Sequence, residues 1–219
     1  MPFTVDEFFA VFARYNESVG PLPAVAYILG LVTIALVMAR SRVASMIAAV
    51  ILAAMWAANG VGYHWLYFAE VNPAAWLFGA AFLAEAVLLA TAPFVARGMT
   101  FSVRSDARSV VGTALILFSM VAYPVWGRLA GHTYPAVPSF GIAPCPTTIF
   151  TIGVLLLGPW KSVRWLLVIP VLWSVVGGSA AVLLRVPQDF GLIAAGLCAV
   201  VFALAHRRDA GLARHDASG

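Results

Sequence analysis

Apolar stretches at residues 21–39, 43–63, 74–96, 109–130, 146–158, 165–184 and 190–205, broken only by short charged turns, confine this chain to a lipid solvent. About 20 residues of helix cross a typical hydrocarbon core, and the second, third, fourth and sixth stretches reach that length. Only 10% of the 219 residues are charged and 63% are apolar, whereas a soluble domain carries roughly a quarter charged residues. So few charges cannot coat a water-facing surface, and the expected partner is the lipid bilayer. The formal net charge of +4 would suit nucleic acid, but the basic residues fall in short clusters between apolar runs. That pattern reports membrane topology and gives no phosphate-binding face, so no nucleic-acid partner is expected.

The fifth stretch is short, and charge counting decides whether it crosses. With seven crossings and the N-terminus outside, Arg40, Arg42, Arg97, Arg104, Arg108, Lys161, Arg164, Arg207, Arg208 and Arg214 lie inside, and Arg14, Arg128 and Arg185 outside. Were the fifth stretch a re-entrant hairpin, the split would be six inside and seven outside, against the positive-inside rule. The sequence therefore predicts an all-α polytopic bundle of seven transmembrane helices, N-out and C-in. It divides into an extracytoplasmic amphipathic segment (1–20), the bundle (21–206) and a polar cytoplasmic tail (207–219), unstructured from Asp209. The start, MPFTVDEFF, has no basic n-region and no small-residue cleavage site, so no removable signal peptide is expected. Thr4 and Glu7 form a capping box, Phe3 is placed to staple onto Phe8, and Phe8, Phe9 and Phe12 share a helical face. This helix is expected on the outer leaflet or across the outer end of the bundle. Pro93, Pro124 and Pro170 lie inside spans, where neighbours must satisfy the freed carbonyls. Ser174, Gly177, Gly178 and Ala181 form a small-residue face that admits close helix approach.

Few residues can carry chemistry. Glu85 falls at the midpoint of the third span. A carboxylate there costs about 2.5–3.5 kcal/mol even on the lenient insertion scale, so it should face the bundle interior, as a hydrogen-bonded neutral acid or as a proton or cation site. Asn59 shares a face of the second span with Trp56 and Tyr63, and interhelical hydrogen bonding is the commonest use of such an asparagine. Tyr63, His64, Trp65 and Tyr67 read as an outer aromatic belt. Topology places His64, Glu70, His132, Cys145, Gln188 and Asp189 on the outer side. Of these, His64, His132 and Cys145 are the candidate metal ligands, though no CxxC, HxH or HxxxH pair is present. The segment 131–148 holds four prolines, a cysteine and a histidine between two spans. Its Cys145 is expected as the N-cap of a helix whose first residue is Pro146, with Thr147 and Thr148 in a first turn suited to polar contacts or an anion. That short helix should leave Cys145 below the outer surface, where irregular backbone needs protein or a wet cavity around it. Cys198, at a different depth, reads as core.

Several chemistries are excluded. The seventh span holds no lysine for a retinal Schiff base, and no Gly-rich phosphate loop, HExxH or GxSxG occurs. Two cysteines make no disulfide framework. Haem ligation by His64 and His132 is geometrically conceivable, but no cofactor is demanded and its identity is left unknown.

The strings Tyr63-His64-Trp65, Asn72-Pro73-Ala74-Ala75, Gly131-His132-Thr133-Tyr134-Pro135, Cys145-Pro146-Thr147-Thr148-Ile149-Phe150-Thr151, Gly177-Gly178-Ser179-Ala180-Ala181 and Val186-Pro187-Gln188-Asp189 resemble a family of uncharacterised bacterial polytopic membrane proteins. Pro144-Cys145-Pro146-Thr147-Thr148 is the most specific of them. The resemblance implies a multi-pass protein of the bacterial inner membrane and implies no activity. The leading expectation is a protein that binds or moves a small solute or ion through an outward-facing pocket. Glu85 and Asn59 would floor it, Tyr63, His64, His132, Cys145, Thr147, Thr148 and Asp189 would line it, and the Pro-rich segment would be its lid. A membrane-embedded enzyme or redox subunit using Cys145, His132 and His64 stays open, as does a structural subunit of a homo-oligomer or larger membrane complex.

Overall fold

The computed structural model describes residues 2–96 and 98–216, with side chains to His206. Arg97, Met1 and residues 217–219 lie outside the described residues, as do the side chains of Arg207, Arg208 and Arg214. All regular structure among the described residues is helical: α1 (Val5–Ser18), α2 (Leu22–Met38), α3 (Arg42–Glu70), α4 (Ala75–Val95), α5 (Ala107–Leu129), α6 (Pro144–Leu156), α7 (Val168–Leu183) and α8 (Phe190–Asp216). By length and composition α3, α4, α5 and the segment Pro187–His206 can each cross a membrane, and the α1–α2 pair, bent by 83°, makes a fifth at most. Of the seven stretches singled out in the sequence, those forming α6 and α7 are apolar but shorter helices. The tail differs from expectation: its Ala, Leu and Arg residues are good helix formers, and α8 continues through them to Asp216.

The ends of the helices follow local chemistry. The Thr4 hydroxyl accepts from the Glu7 N–H at 3.2 Å while the Glu7 carboxylate accepts from the Thr4 N–H at 2.7 Å, closing the capping box. These Thr4 donors hold the Glu7 carboxyl below its ordinary range. Phe3 stacks on Phe8 at 6.1 Å, as a staple should. Ser41 and Asp106 cap α3 and α5, accepting from the N–H groups of Ala44 and Ser109 at 3.1 and 2.8 Å. Gly20, at φ +55°, makes the sharp turn between α1 and α2. The carbonyl of Met120, which Pro124 deprives of its helical donor, accepts instead from the Tyr27 hydroxyl at 3.2 Å.

α6 lies at the centre, with every residue buried except Cys145. It meets α5 at a glycine crossing, where a Cβ at Gly112 would stand 2.7 Å from the Gly153 carbonyl oxygen and one at Gly153 would stand 2.8 Å from that of Gly112. Polar side chains tie it to α3. The Trp56 indole donates to the Thr151 hydroxyl at 2.8 Å, and the Asn59 amide donates to the Thr147 hydroxyl at 3.4 Å. On the other flank the small face of α7 packs on α8, Gly177 against Leu192 and Gly178 against Ile193.

The chain reaches α6 by an unusual route. Pro138, Phe140, Gly141, Ile142 and Ala143 are buried though not helical. Phe140 packs on Gly30 and Tyr27, while Gly141, at φ +76°, leaves no room for a Cβ against Ala26. Irregular backbone at this depth is tolerated because protein surrounds it, and the Asn59 amide satisfies the Gly141 carbonyl at 3.1 Å. Above it, the Asn16 amide of α1 donates to the carbonyls of Pro135 and Val137 at 2.7 and 2.8 Å, and Arg14 pairs with Glu70 at 2.7 Å. The connections therefore sort to two ends. One carries α1 and the Pro-rich segment. The other carries Phe101, whose N–H donates to Ser45, and Trp160, which meets Arg108 and His206.

Candidate functional site

Two helices widen where they approach the α1 end. In α3 the Phe68 N–H reaches the Tyr63 carbonyl, and in α5 the Tyr123 N–H reaches that of Phe118, each an i to i+5 bond of a π-turn. Such turns sacrifice helical regularity and recur at functional sites. Here they deliver Tyr63 and Tyr123 to one buried cluster. Tyr123 donates to the Asp189 carboxyl at 2.6 Å. The Cys145 thiol lies beside the same carboxyl and the Trp173 indole, and Tyr63 is close enough to both Cys145 and Asp189 to interact electrostatically. The group joins α3, α5, α6, α7 and the turn that opens α8.

A cavity of about 230 Å³ ends on this cluster. Its wall is largely aromatic, from Phe3, Phe8, Phe12, Phe68, Phe78 and Trp173, and Tyr63, Asn72, Cys145 and Ser179 supply its polar groups. The exposure that Cys145 keeps, alone in α6, is exposure to this space. α1 builds the cover because its buried face, Phe8, Val11, Phe12 and Tyr15, lies on the widened part of α3. Fixed in this way, α1 caps the bundle's end.

The residues expected to form the pocket are only partly gathered there. Tyr63 and Cys145 line it, and Asp189 stands behind them. His64 is fully buried, ringed by Tyr63, Phe68, Phe78, Phe82 and Trp173 at 4.8–6.2 Å between ring centres, and neither ring nitrogen has a hydrogen-bond partner. It belongs to the interior, not to an interfacial belt. Glu85 is fully buried on the α4 face of Phe82 and Leu89, with both carboxyl oxygens unpartnered. Neither Glu85 nor Asn59 lines the cavity. Asn59 is committed to the Met55 and Gly141 carbonyls and Thr147. Thr147 and Thr148 donate back to the carbonyls of Ala143 and Pro144 at 2.7 and 2.8 Å. Cys145 is not the N-cap: Ala143 holds that position with extended backbone and Pro144 is the first helical residue. Proline at the first position needs no N–H partner, so the helix starts one proline earlier than expected. The cover is the start of α1, and the Pro-rich segment is instead a connection whose later part, Pro138 and Phe140 to Ala143, is buried.

His132 stacks on Phe9 at 4.5 Å and lies 3.4 Å from the Gln188 amide nitrogen. Among the described residues no three His, Cys, Asp or Glu side chains converge as a metal would require, so His64, His132 and Cys145 form no common site. Burial lowers the His132 imidazole from its ordinary 6.5, against a smaller opposing effect of Gln188. Folding thus favours the neutral ring, and its contribution is complete above about 6.5 and lost as pH falls toward the depressed folded value. Hydrogen-exchange protection, the intrinsic rate divided by the observed rate, is expected to fall in residues 131–137 between pH 7 and 5, and His132→Gln should abolish that fall.

Sequence reasoning missed Tyr123, Trp173 and the aromatic wall. Tyr123 stands directly before Pro124 in α5, and no residue pattern announces the π-turn that precedes it. No curated protein and no solved structure matches this chain. A family profile does match, over residues 5–214. The chain belongs to that family, described as a family of unknown function (DUF6064).

Proposed function

We propose that this chain is a seven-span protein of the bacterial cytoplasmic membrane, N-out and C-in, that binds a small, uncharged, largely apolar solute at its outer end. The ten-to-three segregation of basic residues supports the orientation. The short α6 supports a seventh crossing because the buried segment through Phe140 to Ala143 extends its path toward the outer end. The observation that carries the binding reading is the aromatic cavity of about 230 Å³ ending on Cys145 and Tyr63. Its lining holds no charged side chain. An ion would forfeit its hydration there, whereas an apolar ring with one hydroxyl would stack on the wall and bond at the base.

The probe is 1-naphthol, a two-ring body with one hydroxyl. In nanodiscs it should raise the melting temperature of the wild type by about 3–5 °C at ten times its Kd. Ala180→Phe, which fills the cavity wall, should melt near the wild-type temperature without probe and gain nothing from it. Equal shifts in both proteins would overturn the reading. A shift with tetramethylammonium instead would give the aromatic cage to a cation. One observation favours a second reading, a thiol enzyme or redox subunit: the Cys145 thiol lies near the Asp189 carboxyl that Tyr123 hydrogen-bonds. It requires Cys145 to react with iodoacetamide far faster than a free thiol at neutral pH.

A further inference from the structure

At the opposite end from the thiol cavity, α7 and α8 part to leave a groove of about 320 Å³. Its walls are aliphatic, from Val168, Val171, Leu172, Val200 and Ala203. Leu172 and Val168 are 62% and 47% exposed, so in a bilayer this groove faces acyl chains. Its mouth has a different chemistry. The Arg164 guanidinium lies 5.0 Å over the Trp165 ring, and Arg108 of α5 lies 5.7 Å over Trp160, which also meets the His206 ring at 5.8 Å. Lys161 stands one turn from Arg164.

No salt bridge engages these cations among the described residues. Among the described residues the salt bridge found is Arg14–Glu70, at the other end of the bundle. Asp106, the nearest acid in sequence, caps α5 and attracts Arg108 without forming a salt bridge to it. One guanidinium nitrogen of Arg108, Nη1, is buried with no hydrogen-bond partner at all. Of these cations Arg164 lines the groove itself, and phosphate oxygens suit the planar fork of a guanidinium. Tryptophans flanking such a mouth match the headgroup level of a membrane.

We propose that this groove holds one anionic phospholipid, with its phosphate between Arg108, Arg164 and Lys161 and an acyl chain along α7 and α8. A free phosphate would leave the aliphatic walls unused. A neutral phospholipid would leave the arginines in net excess. The site needs only that the bundle lie in a bilayer, and it stands or falls apart from the solute cavity at the far end.

The test is native mass spectrometry of the full-length protein from micelles holding equal phosphatidylglycerol and phosphatidylcholine. The wild type should retain one phosphatidylglycerol in preference to phosphatidylcholine. Arg108→Gln/Arg164→Gln should weaken that retention by about tenfold or more. Ala203→Trp, which fills the groove and leaves every charge in place, should weaken it as well. Arg164→Gln alone, at an exposed position, keeps the test valid should the double variant fold poorly, and should show a partial loss. Retention unchanged in all variants would overturn the proposal. So would loss on removing arginines but not on filling the groove, which would mean diffuse attraction to a basic surface. Displacement of the lipid by excess inorganic phosphate would assign the site to a free anion and overturn it too.

Discussion

Gly153→Val is expected to drive α5 from α6 and to cost about 3 kcal/mol, the upper end for overpacking a close-packed contact. The reason is geometric. The atoms that a Cβ at Gly153 would meet are the Gly112 carbonyl oxygen at 2.8 Å, Ile116 Cγ1 at 2.9 Å and the Ile116 nitrogen at 3.1 Å. Two of the three are backbone, so no rotamer change relieves them. The crossing is reciprocal, with a Cβ at Gly112 meeting the Gly153 oxygen at 2.7 Å. Small residues let membrane helices approach closely where hydrophobic burial no longer drives association, and here α5 is held against the central helix. Gly98→Val is the control, since nothing lies within 4 Å of a Cβ there. Thermal unfolding in detergent should show a large loss for Gly153→Val and little for Gly98→Val. Equal melting of the two would mean that the helices do not cross at these glycines.

Trp56→Ala should be at least as damaging, about 3–5 kcal/mol. Trp56 is fully buried, lies 4.3 Å from the Phe82 ring of α4, and donates to Thr151 of α6. One side chain thus joins three helices. Trp56→Phe keeps most of the packing and removes the donor, so it should cost only about 1 kcal/mol. Thermal unfolding of the pair separates the two contributions. If Phe proves as destabilising as Ala, the hydrogen bond to Thr151 outweighs the packing of the ring, the reverse of the order expected.

What the sequence disclosed followed its strong signals. The helical class, the apolar segments and the capping box are written in residue types whose preferences are local. The protein surrounding Cys145 was also legible, because a short apolar helix must be completed by other backbone at its end. Asn59 as a tie between helices followed from the cost of an unpartnered amide in lipid. Other features depended on three-dimensional neighbours. His64 reads as a belt residue by its company of Tyr63 and Trp65, yet the π-turn rotates it inward among five rings. Phe8 and Phe12 read equally as facing lipid or capping the bundle, and their burial follows from Gly20 folding α1 across its end. Tyr123 and Asp189 are 66 residues apart, and nothing in their spacing announces a hydrogen bond. Glu85 was correctly placed inside, but its depth alone did not show that it stands away from the cavity.

The claim that the cavity under α1 binds a solute against Cys145 is tested most directly by the alkylation rate of that thiol. The protein would be Cys198→Ala in nanodiscs, with N-ethylmaleimide as reagent and 1-naphthol as occupant. With 1-naphthol at ten times its Kd, alkylation of Cys145 should slow by about tenfold, while Cys198 in a Cys145→Ala protein should react at an unchanged rate. Alkylation of Cys145 that proceeds equally fast with and without 1-naphthol would contradict solute binding against this thiol.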